Sequence, residues 1–248
     1  MIILSVLFFI TAILYSSVGF GGGSTYLALM LIWDLPYYII PILALFCNII
    51  VVSGNSINYL RSGNINLKLL FPYLAGSIPF VFFGASISIE KDSFEILLFF
   101  VLTVAGIFLF IESKNFNKEQ FQIKKVSNFL SITIGSVIGF ISGIVGIGGG
   151  IFLSPILFLM KAGFPKHIAA TASLFILINS IFGVAGQLTK DIVFDEFLKF
   201  WPLFVCVLFG GQIGNFLNIK FLSNKALALI TSLLVIFVAV RMGARLIP

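Results

Sequence analysis

Charge is scarce in this sequence: Asp, Glu, Lys and Arg make up 10% of its 248 residues, against roughly 25% in ordinary soluble domains. Too few polar side chains remain to give each apolar segment a wet face, so a water-soluble globular fold is excluded. Cysteine and histidine are scarcer still. Cys47 and Cys206 stand alone in apolar stretches with no C-x-x-C, and His167 is the one histidine. No disulfide framework, no metal site and no cofactor are expected. There is no H-E-x-x-H and no pair of carboxylates inside an apolar segment, and a serine such as Ser24 or Ser154 has no base at depth. These absences argue against an enzyme. The net charge of +6 is scattered over short loops and not gathered into a patch, so nucleic acid is not an expected partner.

Hydrophobic residues, by contrast, make up 60% of the chain and include thirty phenylalanines, which points to a lipid bilayer as the solvent. Apolar stretches occupy residues 2–32, 37–60, 67–89, 94–112, 126–160, 167–188, 197–218 and 225–246. Residues 1–14 lack the basic flank and small-residue cleavage site of a signal peptide, so they are expected to remain as the start of the first segment. The one clearly hydrophilic stretch, Glu112 to Lys125, falls near mid-chain. The expected fold is an all-α integral membrane protein of about eight transmembrane segments, with a first membrane repeat over 1–112, a linker over 113–125 and a second repeat over 126–248.

Two of the stretches, 2–32 and 126–160, are too long for one span: 31 helical residues would run about 46 Å, against a hydrocarbon core of about 30 Å. Each holds a glycine cluster that can break it: Gly19, Gly21, Gly22 and Gly23 in the first, and Gly146, Gly148, Gly149 and Gly150 in the second. The clusters lie 127 residues apart. Ser53-Gly54-Asn55 falls near Ala185-Gly186-Gln187, Pro72 on Pro202 and Gly84 on Gly214. A duplicated unit with interrupted segments at equivalent places is the sequence pointer to a secondary transporter with a central site between its repeats. Glycines also serve plain helix packing in membranes, the competing explanation for each cluster taken alone.

Neither cluster ends in G-K-[ST], so neither is a nucleotide loop. Glycine lets backbone approach a ligand closely, and the helix that follows offers unpaired N–H groups at the positive end of its dipole. That combination binds anions without a basic side chain. Polar residues inside the segments are few, and the expected lining comes from them: Ser24 and Thr25 after the first cluster, Asn48, Asn55 and Asn58 on one face of the second segment, and Thr171, Ser173, Asn179 and Gln187 on the sixth. Interhelical hydrogen bonding is the alternative role for each. The charged residues Asp34, Arg61, Lys161, His167 and Lys190 all fall near segment ends, which leaves no carboxylate proton relay or arginine voltage sensor at depth.

Val18-Gly19-Phe20-Gly21-Gly22-Gly23, its echo from Val145 through Gly150 to Ser154-Pro155, and Ala169-Ala170-Thr171-Ala172-Ser173-Leu174 give the chain its likeness to a known family. Over essentially its whole length it resembles the TauE/SafE family of membrane transporters, also described as sulfite or sulfonate permeases. The resemblance implies a multi-pass carrier of the cell inner (plasma) membrane, with about eight segments in two repeats and a small anionic substrate such as sulfite, a sulfonate or sulfoacetate. The halves differ in polarity, since Leu45-Phe46-Cys47-Asn48 stands where the second repeat has Ala172-Ser173-Leu174-Phe175. An anion channel or a membrane scaffold without transport is the alternative. A homo-oligomer is compatible with the sequence. The basic residues divide equally unevenly whether each broken segment crosses or re-enters, so the positive-inside rule leaves orientation open.

Overall fold

The computed structural model of the chain describes residues 1–114, 123–190 and 194–220, together with isolated positions 233, 236, 237, 240, 243 and 244. Among the described residues all regular structure is helical. Helix α1 (Ile2–Ser16) and helix α2 (Gly23–Ile32) are the two pieces of the first overlong stretch, separated at the glycine cluster. Helix α3 (Ile40–Arg61) carries Pro41 in its first turn, where a missing N–H leaves no bond unmade. The side chain of Asn66 accepts from the Leu69 N–H at 3.2 Å and caps helix α4 (Leu67–Ser86). Helix α5 (Lys91–Lys114) follows. Ser127 then caps helix α6 (Asn128–Val145) in the same way through the Leu130 N–H. The second cluster separates α6 from helix α7 (Gly150–Leu159), and helix α8 (Pro165–Gln187) completes the central set.

The stretch expected as one segment over 197–218 is divided into a short helix α9 (Phe194–Leu198) and helix α10 (Trp201–Lys220). Pro202 lies in the first turn of α10, where proline can open a helix but could not continue one. Helix α5 runs two residues into the expected linker. Most of that linker, and most of the final stretch at 225–246, lies outside the described residues. Among those described, α3, α4, α6 and α8 are each long and apolar enough to cross a membrane.

Helices α3 and α8 pack on each other at the centre. Helix α1 lies along α10 and α4 along α6, while α2 rests on α3 and α7 on α8. Glycine sets the close approaches. A Cβ at Gly135, Gly139 or Gly143 of α6 would come within 2.2, 2.6 and 2.3 Å of the carbonyl oxygens of Tyr73, Ser77 and Val81 on α4. The four-residue spacing puts these glycines on one helical face, the small-residue seam by which membrane helices pack. Gly210 and Gly214 of α10 meet the carbonyls of Phe9 and Ile13 on α1 in the same manner, at 2.5 and 2.2 Å. Gly139→Leu is therefore expected to destabilise by about 1–3 kcal/mol or more through overpacking. It should lower the thermal midpoint of the detergent-solubilised protein by several degrees. Gly163→Ala, whose new methyl group would come no closer than 3.4 Å to Leu69 Cδ2, with Ile168 Cγ1 and His167 Cβ at 3.7 and 3.8 Å, should leave the midpoint in place.

The offset of 127 residues between the glycine clusters recurs in backbone geometry. Asp34 and Lys161, just past α2 and α7, are the two non-glycine residues with positive φ among those described, at 53° and 51°. Gly84 packs on the carbonyl of Phe140, and Gly214 on that of Ile13, residues that are themselves 127 apart.

Candidate functional site

The site begins at the two interruptions. After α1 the backbone turns left-handed at Gly19 (φ +84°) and Gly22 (φ +87°), and Gly22 is the N-cap of α2. After α6 it does so at Gly146 (φ +84°), Gly148 (φ +82°) and Gly149 (φ +79°), with Gly149 the N-cap of α7. An L residue held there costs about 1–2 kcal/mol, so the sequence uses glycine. The closing bonds match as well: Phe20 N–H donates to Tyr15 O, and Ile147 N–H to Ser142 O.

Each interruption leaves a run of amides free. Among the described residues, the N–H groups of Gly21, Gly22, Gly23 and Ser24 meet no backbone acceptor, nor do those of Gly148, Gly149, Gly150 and Ile151. They belong to the starts of α2 and α7, the positive ends of those helices.

Asn48, fully buried on α3, stands between the two interruptions. Its Nδ2 donates to Ile147 O at 2.9 Å. Cβ atoms placed on Gly21 and Gly23 would lie 2.3 Å from Asn48 Oδ1 and 2.6 Å from its Nδ2, and the one on Gly23 would come 2.8 Å from Ile147 O. A Cβ on Gly148 would lie 3.0 Å from Asn48 Nδ2 and 2.8 Å from Ser180 Oγ of α8. Segments more than a hundred residues apart in sequence thus touch, with Asn48 wedged between them. The halves differ here: Gly148 is left-handed, and Gly21 at the equivalent position is not.

The remaining residues singled out in the sequence are spread along the helices. Gly149 packs near Ile138 and Phe175, Gly150 against Ile176, and Gly19 against the Tyr59 ring. The Ser24 hydroxyl faces Tyr15 Oη at 3.3 Å, and Thr25 holds the same phenol at 2.8 Å. Ser24 therefore contributes its amide to the interruption, while its side chain packs on α1. Asn55 accepts from Ser16 Oγ at 3.2 Å, and Ser173 faces Ser56 at 3.4 Å. Gln187 Oε1 accepts from Lys190 Nζ at 3.2 Å. Asn58 is half-buried. Thr171 and Asn179 are fully buried on α8.

Several of these groups have no protein partner: Asn48 Oδ1, Asn55 Nδ2, Thr171 Oγ1, Gln187 Nε2, both amide atoms of Asn179, and Ser180 Oγ. Left unmade, each such bond costs about 1–3 kcal/mol, so a concentration of them between α3 and α8 marks an interior suited to a polar occupant. None of the buried polar side chains among the described residues is charged. Lys190, which bonds Gln187, lies past the end of α8, and burial pulls its ammonium down to about 8. Ser180 was not singled out from the sequence. A serine beside an asparagine in an apolar helix carries no distinguishing signal there, and only its place against Gly148 does.

Comparison with known proteins follows the same direction. A family model described as "Sulfite exporter TauE/SafE" matches residues 4–242. A probable membrane transporter protein of Sinorhizobium fredii is 28% identical over 232 residues, covering 93% of each chain. One of Bacillus subtilis is 24% identical over 262 residues, covering 96% of this chain and 95% of its own. One of Methanocaldococcus jannaschii is 31% identical over 192 residues, 74% and 70% of the two chains. These three names specify no substrate. No solved structure matches the chain.

Proposed function

The chain belongs to the sulfite exporter TauE/SafE family of membrane transporters, and on that premise we propose that it is a secondary carrier of small sulfur-containing anions, such as sulfite or simple sulfonates. The observation that carries this reading is the meeting of two glycine interruptions around Asn48, each presenting unpaired amides at a helix start. Irregular backbone at membrane depth is tolerable only where it is buried in protein or lines a cavity, and unpaired N–H groups at a helix start favour an anion. Gly21 to Ser24 and Gly148 to Ile151 supply main-chain donors, Ser180 adds a hydroxyl, and Asn48 holds the two loops in register. Asn55, Thr171, Ser173, Asn179 and Gln187 form the polar path along α3 and α8.

The layout we propose is eight spans in two repeats, 1–112 and 126–248, in the cell inner membrane. The shared offset of the interruptions and of the Asp34 and Lys161 turns supports it, as do the matching contacts of Gly84 on Phe140 and Gly214 on Ile13. So does the exchange of partners, α1 with α10 and α6 with α4. Rocking of one repeat against the other would expose the site to each side in turn. A channel built from the same elements would need a continuous opening, and the complete burial of Asn48, Asn179 and Ser180 favours the carrier.

Uptake into proteoliposomes separates the two. Labelled methanesulfonate or sulfite should enter saturably, and faster when the vesicles are preloaded with the same unlabelled anion. Uptake that rises linearly with concentration and ignores preloading would make the protein a channel.

A further inference from the structure

Resting on the carrier reading above, we propose that the site takes singly charged anions and rejects doubly charged ones, so that bisulfite and sulfonates are substrates while the sulfite and sulfate dianions are not. The charge available to neutralise a ligand is small and can be counted. A helix start presents about half an elementary positive charge, so the starts of α2 and α7 together offer about one. Among the described residues no buried side chain adds to it: the buried polar ones are Ser, Thr, Asn and Gln without a single Lys, Arg or His. In the last apolar stretch no charged residue occurs between Lys225 and Arg241.

The penalty for bringing an ion into a low-dielectric interior grows as the square of its charge, since it is a Born solvation energy. A dianion therefore faces about four times the desolvation of a monoanion, while its attraction to the same fixed dipoles only doubles. Neutral donors such as Ser180 Oγ, buried and without a protein partner against Gly148, add directionality but no net charge.

The titratable groups around the interruptions do not alter this count at neutral pH. Tyr59 lies beside Gly19, Tyr26 beside Gly22, Tyr15 beside Ser24, and Cys47 next to Asn48 in sequence, and all are neutral there. Lys190 lies past Gln187, which is itself two helical turns, about 10 Å, beyond Ser180.

The test uses the full chain in proteoliposomes preloaded with methanesulfonate, with equal pH inside and out and with protein-free vesicles to subtract leak. Uptake of labelled methanesulfonate, sulfite and sulfate is compared from about pH 6 to about pH 8.5. Methanesulfonate keeps one charge throughout, so the ratio of sulfite to methanesulfonate uptake cancels any titration of the protein that acts on both monoanions alike. The ratio should fall with the bisulfite fraction, about tenfold per pH unit once its proton is lost, and sulfate should be at least about tenfold slower than methanesulfonate at every pH. A ratio that stays flat, or sulfate uptake equal to that of methanesulfonate, would overturn charge selectivity while leaving the carrier intact. Entry of none of the three would overturn the carrier reading and this inference with it.

Discussion

Gly149→Val is expected to abolish anion uptake, by about a hundredfold or more, in a protein that still inserts and runs as a single species. Gly149 holds φ +79° as the N-cap of α7, a region closed to β-branched residues. Its new Cβ would also lie 2.8 Å from Ile138 Cγ2 and 3.0 Å from Phe175 Cε1. The strain can be relieved only by turning the peptides around it, and that redirects the free amides of Gly148 to Ile151. Losing two hydrogen bonds to a charged ligand, at about 1.5–3 kcal/mol each, corresponds to about a hundredfold or more in affinity. Gly22→Val should behave alike, since φ is +87° and the Tyr26 ring lies 3.0 Å from the new Cβ. Undiminished uptake in both variants would remove the interruptions from the mechanism.

The second large effect is expected at Ser180. Ser180→Asp sets a carboxylate beside Gly148 and the free amides that follow it, where it occupies the anion's place from within the protein. Uptake should vanish while the thermal midpoint holds or rises, because the new charge is stabilised by the start of α7. Ser180→Ala removes one donor and no more. It should raise the half-saturating concentration by about tenfold, equivalent to roughly one charge-assisted hydrogen bond. Normal uptake by Ser180→Asp would place the anion elsewhere.

The parts of the fold legible in the sequence were those with a local cause. Glycine alone accepts φ near +80° without strain, so the clusters marked where α1 gives way to α2 and α6 to α7. Asparagine in an apolar helix calls for a partner, which made Asn48 conspicuous. Its partner, the carbonyl of Ile147 ninety-nine residues away, is a product of tertiary packing that no local pattern encodes. Ser24 shows the same boundary from the other side. Its position after the cluster was plain, but the direction of its hydroxyl toward Tyr15 depends on the rotational phase at which α2 resumes after irregular backbone. The division of residues 197–218 into α9 and α10 followed from Pro202, a signal present in the sequence but masked by the continuous apolar run around it.

The central claim is that the two interruptions form one anion site, and equilibrium binding of labelled methanesulfonate to the purified protein in detergent tests it most directly. One anion per chain is expected for the wild type, with binding lost in Gly22→Val and equally in Gly149→Val, since each contributes half of the same site. Two anions per chain, or binding that survives the loss of either interruption, would contradict it.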